Sequence, residues 1–443
     1  MDASAIRIPA TVGAWARLML LLISAGAVAP RASAAQQYGV GVHIGQNQNQ
    51  VETALSDGPF SLRTDALWQW VETTQGNLSY PDNLKSWLDP IINTIVPLGA
   101  QPLIVLDYGN KFYDGGGEPS SAAGIAAYAR YAGFMAAHYK GTVSQFEIWN
   151  EWNLAQSDTN ATAGTAGAYV AMLKAAYAAI KAANPAATVV AGGGVTNLDS
   201  NWVMHFIAAG GLAYADAFSV HPYVHSRARK PAPPALSSRL LPIAAAQAQS
   251  VAPVGGTPED AIAWVDQVHT MLDNAAGRSV PIFITEIGWA TNMGQYGFSE
   301  ETQAAYLQRF LLLAHARSYI GGVWWYDLMD DGPDNTNYFQ RFGLLRQSGA
   351  QKGAFTALLQ IKSLLLAPSI AIQGTGSNGE ITISGTLANG KKYYAAWLPT
   401  DDFYRTAASG SVASMLGSGY VPLAAANGTT STLSANPLVI AQQ

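Results

Sequence analysis

The chain contains no cysteine. Disulfides, thiolate metal centres and cysteine nucleophiles are therefore excluded. Charge is also scarce: 12% of the 443 residues are charged, with a formal net charge of -5. A weakly acidic chain is not an electrostatic nucleic-acid binder. With 49% hydrophobic residues it is not a disordered one either. No Gly-x-Ser-x-Gly elbow and no P-loop occur, so esterase and kinase readings lack a nucleophile or a phosphate cradle. Beyond the N-terminal stretch, no run is long and apolar enough to cross a bilayer.

That N-terminal stretch, Arg17 through Ala29, has the form of a secretory apolar region. Arg7 and Arg17 precede it, and Ala32-Ser-Ala34 follows as a small-residue cleavage site. Residues 1–34 are expected to be a signal peptide, and the mature protein to be secreted or periplasmic. An uncleaved anchor is the alternative, but the run is short for a span. Asn-x-Ser/Thr triplets at Asn77, Asn160 and Asn427 read as chance occurrences. The chain is rich in Trp (12) and Tyr (20), whose flat faces suit stacking on sugar rings, although most are expected in the core.

From Tyr38 to about residue 366, strand-like runs alternate with helical periods. The strand candidates are Tyr38–Ile44, Phe60–Asp65, Pro102–Tyr108, Gln145–Glu151, Thr188–Gly192, Ala217–Tyr223, Pro281–Glu286 and Gly322–Asp327. Eight is the number that closes an (β/α)8 TIM barrel. Leu84, Trp87, Leu88, Ile91, Ile92 and Ile95 share one helical face, and Thr257-Pro-Glu-Asp260 reads as a capping box opening a helix. An open doubly wound sheet would place a glycine-rich phosphate turn after the first strand, and Gly39, Gly41 and Gly45 lack that spacing. Gly192-Gly-Gly194 reads as a tight turn. The expected organisation is a barrel over residues 36–368 and a small all-β, β-sandwich-like accessory domain over 369–443. Within the barrel, the Pro-rich stretch Arg227–Gly256 reads as a cleft wall, a lid or a tolerated insertion.

Two strands end in carboxylates: Gln145-Phe-Glu-Ile-Trp-Asn-Glu151 and Pro281-Ile-Phe-Ile-Thr-Glu286. A carboxylate ending a buried strand is costly unless it is paired or functional. Two of them, far apart in sequence, are what glycosidic-bond cleavage requires: a proton donor and a nucleophile. The apolar surround of Glu151 is expected to raise its pKa. Asn150 is suited to bonding a substrate hydroxyl, and Glu147, further back in its strand, to pairing with Arg63. Arg63, His221 and Tyr223 are candidate donors to Glu286. His221 and His225 have i, i+4 spacing, but Pro222 and a strand-end context argue against a metal. Asp327, Asp330, Asp331 and Asp334 lack EF-hand spacing and read as a solvated acidic loop. No metal or cofactor is expected.

At these residues the chain resembles clan A glycoside hydrolases, most closely family 39, which includes β-xylosidases and exopolysaccharide endoglycosidases. Ile148-Trp-Asn-Glu151 and Ile284-Thr-Glu-Ile-Gly-Trp289 look like that clan's acid/base and nucleophile motifs. Further matches are Leu106-Asp-Tyr108, His221-Pro-Tyr223, Trp325-Tyr-Asp327 and Phe342-Gly-Leu-Leu345. The resemblance implies a retaining mechanism with Glu286 as nucleophile and Glu151 as acid/base. It implies that Asn150 holds the sugar 2-hydroxyl, and that Arg63, His221 and Tyr223 tune the nucleophile. It puts Trp325, or else Trp324, on the floor of the cleavage subsite, with Trp152, Trp289 and Tyr108 as cleft walls. The partner expected is a carbohydrate. Other readings are a catalytically inactive carbohydrate-binding barrel, an exo-acting β-xylosidase-like enzyme and an adhesion protein using the tail.

Overall fold

The computed structural model describes residues 36–442 apart from 58–59, 155–163, 225–255, 294–296, 368, 376–378, 402–406, 409–419 and 423–431. The expected signal peptide, His225 and nearly all of the Pro-rich segment thus lie outside the described residues.

Eight parallel strands close into a barrel in sequence order: β1 (Gln37–Gly41), β2 (Ser61–Asp65), β3 (Leu103–Leu106), β4 (Gln145–Ile148), β5 (Thr188–Val195), β6 (Ala217–Val220), β7 (Ile282–Ile287) and β8 (Ile320–Trp325). Strand β1 pairs with β8, Val40 opposite Trp325, which closes the ring. The strands are short and apolar because each is covered on both faces. Leu103, Val190, Ala217, Phe283 and Trp324, from five different strands, form a cluster of their own inside the barrel. Gly39 makes room for Trp324: a Cβ there would lie 2.4 Å from the indole.

The outer layer follows the sequence periods. The segment Leu84–Leu88 is a π-helical turn that runs into a helix at Asp89–Ile95, and the apolar residues predicted for one face are all buried. The helix Pro258–Ala276 opens with the expected capping box, Thr257 and Asp260 bonding each other's backbone. Its Glu259 accepts from Arg309 and from Trp397 Nε1. Gly192-Gly-Gly194 does not turn the chain away as expected. Strand β5 runs on to Val195 through a bulge, with all three glycines at positive φ, a conformation open to glycine at little cost.

The tail forms an antiparallel five-stranded sheet of β9 (Ser369–Thr375), β10 (Ile381–Thr386), β11 (Lys392–Trp397), β13 (Tyr420–Pro422) and β15 (Leu438–Gln442), in the order β13-β15-β11-β10-β9. Strands β12 (Ala407–Ala408) and β14 (Thr432–Leu433) pair separately. Alternation along β11 divides its faces. Tyr393, Ala395 and Trp397 join the main core, whereas Ala396 and Leu398 pack with Leu433, Leu438 and Ile440. Residues 35–443 form one compact unit. Among the described residues, no helix is long and apolar enough to cross a membrane.

Candidate active site

The predicted carboxylates meet at one end of the barrel. Beyond Ile148 the backbone leaves strand geometry, with Trp149 at φ 67° and Glu151 at φ 47°. Left-handed non-glycine residues cost about 1–3 kcal/mol each and cluster at functional sites. This turn swings Glu151 into a cavity of about 490 Å³, also lined by Glu286, Arg63, Asn150, Tyr108 and Tyr223. Small-molecule sites span roughly 300–1,000 Å³. One carboxylate oxygen each from Glu151 and Glu286, and a ring nitrogen of His221, all lie within 4.8 Å of one another.

Arg63, on β2, organises the site. Its Nε donates to Glu147 Oε2 at 2.7 Å, Nη1 to Glu286 Oε1 at 2.7 Å and Nη2 to Asn150 Oδ1 at 2.8 Å. Burial opposes its charge, but Glu147 and Glu286 outweigh that and hold its pKa well above the usual arginine value. The expected Glu147–Arg63 pair is thus present, with Glu147 fully buried. The second oxygen of Glu286 accepts from Tyr223 at 3.0 Å. Asn150 donates to the Tyr108 hydroxyl at 2.8 Å.

His221 differs from expectation. Its Nδ1 is 3.0 Å from Glu151 and 3.7 Å from Glu286, so it serves the first carboxylate more closely than the second. Its Nε2 is 3.0 Å from Thr285 Oγ1, which donates its only hydrogen to Glu147 at 2.8 Å. Thr285 can therefore only accept from His221, which places a proton on Nε2. The proton at the Nδ1–Glu151 contact is then shared by that pair: on Nδ1 when the imidazole is charged, on the carboxyl when it is neutral. Burial pushes Glu151 up, as the sequence suggested. The hydrogen bond and charge of His221, with Thr196 and Arg63, outweigh it and leave the pKa below its ordinary value. The expected upward shift is therefore corrected: burial is the largest single influence, but His221, Thr196 and Arg63 together exceed it.

The tryptophans are also corrected. Trp152, Trp289 and Trp325 are buried and line no part of the cavity. Trp289 meets Tyr306 and Phe310 edge-on and Trp325 at a tilt, and Trp324 points into the barrel with its Nε1 on Ser61. The residue that enters the cavity from this segment is Tyr326, one place past the strand. The acidic loop is corrected as well. Asp327 and Asp330 are buried, although Asp334 is exposed.

Sequence reasoning passed over several residues. A Cβ at Gly194 would lie 2.2 Å from His221 Nε2, so a glycine there makes the imidazole's position possible. Thr285, adjacent to Glu286, carries the link from Glu147 to His221. Phe342, Tyr338 and Phe339 extend the cavity outward. Tyr223–Phe342, Phe342–Tyr338 and Tyr338–Phe339 ring centroids are 6.0, 4.9 and 5.3 Å apart, and Phe339 is 73% exposed.

Residues 29–328 match the sequence profile of the family described as Cellulase (glycosyl hydrolase family 5). The chain belongs to this family. It is a clan A glycoside hydrolase, and its partner is a carbohydrate. No curated protein matches this glycosidase in sequence. Among solved structures, a family 39 glycoside hydrolase from the gut symbiont Bacteroides cellulosilyticus WH2 is similar, with a TM-score of 0.70 and 22% identity. The match covers 93% of this chain and 81% of that one. A monomeric β-xylosidase from Caulobacter crescentus CB15 matches with a TM-score of 0.56 and 16% identity, over 83% of this chain and 75% of that one. A glucosidase from Croceicoccus marinus matches at 0.58 and 14%, over 91% and 81%. At these identities the likeness is one of fold.

Proposed function

We propose that this glycosidase is a retaining enzyme that cleaves β-glycosidic bonds within a polysaccharide, with Glu286 as nucleophile and Glu151 as acid/base. One observation carries the reading: carboxylate oxygens of the two residues lie within 4.8 Å across one cavity. Retaining enzymes place their carboxyl groups about 5–5.5 Å apart, and inverting ones leave about 6.5–9.5 Å for a water.

The roles follow from the partners. Glu286 accepts from Arg63 on one oxygen and from Tyr223 on the other, which orients it for attack on an anomeric carbon. Glu151 passes the proton it shares with His221 to the leaving oxygen as the glycosyl–enzyme bond forms. It then removes a proton from the water that breaks that bond. Asn150, fixed by Arg63, retains a second amide hydrogen for a sugar hydroxyl. The aromatic series from Tyr223 to exposed Phe339 supports binding of several sugar units, and so action inside a chain such as an exopolysaccharide. The N-terminal apolar run and Ala32-Ser-Ala34 support export.

An activated 2-deoxy-2-fluoro β-glycoside tests the chemistry. The expected result is a covalent adduct on the peptide carrying Glu286, found by mass spectrometry. An adduct on Glu151, or full turnover by Glu286→Gln, contradicts the assignment. Release of mixed oligosaccharides from polysaccharide is expected; release of single sugars alone would favour exo action.

A further inference from the structure

A second group of donor atoms stands in the cavity wall where β1 meets β8. His43 follows β1 by two residues, and Asp327 follows β8 by two. A Leu328 N–H to Gly41 carbonyl bond of 2.9 Å ties the two segments together. His43 Nε2 is 3.7 Å from Asp327 Oδ2 and 3.5 Å from Asp331 Oδ1. One donor atom from each of the three residues lies within 4.8 Å of the others.

Asp327 is fully buried, and neither of its oxygens has a hydrogen-bond partner among the described residues; His43 Nε2 is likewise unpartnered. The neighbouring Asp330 shows how this fold satisfies a buried aspartate. It accepts from Lys352 at 2.6 Å and from the Gly343 N–H at 3.0 Å, with Arg341 at 3.2 Å. Among the described residues no such donor reaches Asp327, so burial disfavours its charged form unless a cation meets it. The 3.5 and 3.7 Å separations are too long for hydrogen bonds. They lie in or just beyond the spacing of donors that share one ion: bonds of ~2.0–2.2 Å at tetrahedral angles put donors ~3.3–3.6 Å apart.

We propose that His43, Asp327 and Asp331 form a binding site for a divalent cation of the Zn²⁺ or Mn²⁺ kind. The donor set selects the class. Imidazole suits Zn²⁺, and carboxylates suit Mn²⁺, whereas Ca²⁺ and Mg²⁺ prefer oxygen throughout. The two carboxylates, when ionised, carry two negative charges, which a dication balances. Of the three, His43 also lines the cavity. This site departs from the sequence expectation of no metal. It concerns cation binding alone and stands apart from the hydrolytic assignment.

The test uses the full chain stripped of metal, titrated with Zn²⁺ by calorimetry and with Mn²⁺ by electron paramagnetic resonance. One equivalent is expected to bind, and His43→Gln and Asp331→Asn are each expected to weaken binding tenfold or more. Asp327 is buried, so these two better exposed positions carry the test. Glu151, His221 and Glu286 form the other such donor group among the described residues. Glu151→Gln is therefore expected to leave the affinity unchanged. Absence of binding at millimolar metal overturns the proposal. So does binding that Glu151→Gln abolishes and His43→Gln does not.

Discussion

Arg63 bonds Glu286 at 2.7 Å through Nη1 while its Nε holds the buried Glu147 at the same distance. One planar cation thus links a carboxylate facing the cavity to one sealed beneath it. An ammonium cannot reproduce that fork. Arg63→Lys is expected to lose about 3–5 kcal/mol of stability, since it takes from buried Glu147 the guanidinium bond and leaves it only Thr285. It is also expected to lower kcat by roughly 100-fold or more through misplacement of Glu286. Denaturant titration and steady-state kinetics on an aryl β-glycoside check both; wild-type behaviour in either contradicts the linkage.

The lowered pKa of Glu151 has a sign for stability. Its carboxylate is favoured in the folded protein, so its contribution is present above the unfolded carboxylate pKa. That contribution is lost as pH falls through the folded value. The Tm difference between the wild type and Glu151→Gln is expected to be largest near neutral pH and to narrow on acidification below about pH 4. A difference that widens in acid would reverse the sign of the shift.

Asp107 behaves oppositely. It is fully buried with both oxygens unpartnered among the described residues. Burial first, then Asp65, raises its pKa well above the ordinary carboxylate range. A raised folded pKa gives stability that is present in acid and lost as pH rises through it. Asp107→Asn is therefore expected to gain Tm over the wild type progressively as pH increases. Thermal melts across pH measure this, and a pH-independent difference would refute it.

Phe339 stands 73% exposed at the end of the aromatic series. Phe339→Ala is expected to raise KM for long oligosaccharides about tenfold, the equivalent of about 1.4 kcal/mol. It should leave KM for a small aryl glycoside unchanged. Equal effects on both substrates would deny Phe339 a distal sugar contact.

Trp397, from the tail, donates to Glu259, which also holds Arg309. Arg309 in turn donates to the Thr400 carbonyl at 2.8 Å. Trp397→Ala is expected to cost about 3–5 kcal/mol. It should lower Tm while leaving KM intact, because neither Trp397, Glu259 nor Arg309 lines the cavity. Unchanged Tm would show that the tail sheet adds nothing to the barrel's stability.

The strands were legible because each buries both faces and so reads as a continuous apolar run between polar breaks. The two carboxylates were legible because an acid ending such a run has no other low-cost explanation. The tryptophans were not. In Trp324-Trp325 adjacent identical residues face opposite sides of a strand, and alternation alone does not say which side is which. Strand pairing does: Trp324 fills the barrel, Trp325 packs under the helices, and Tyr326 reaches the cavity. Likewise, Asp327 and Asp330 look alike in sequence, yet Lys352 reaches only one of them.

Local order and the choice of a barrel came from the chain itself, since hydrophobic period and capping residues act over a few positions. Which nitrogen faces which carboxylate was decided only by the closed ring, because it brings β2, β4, β6 and β7 to one point. Electrostatics at that point depends on separations of a few ångströms, and those are properties of the packed molecule.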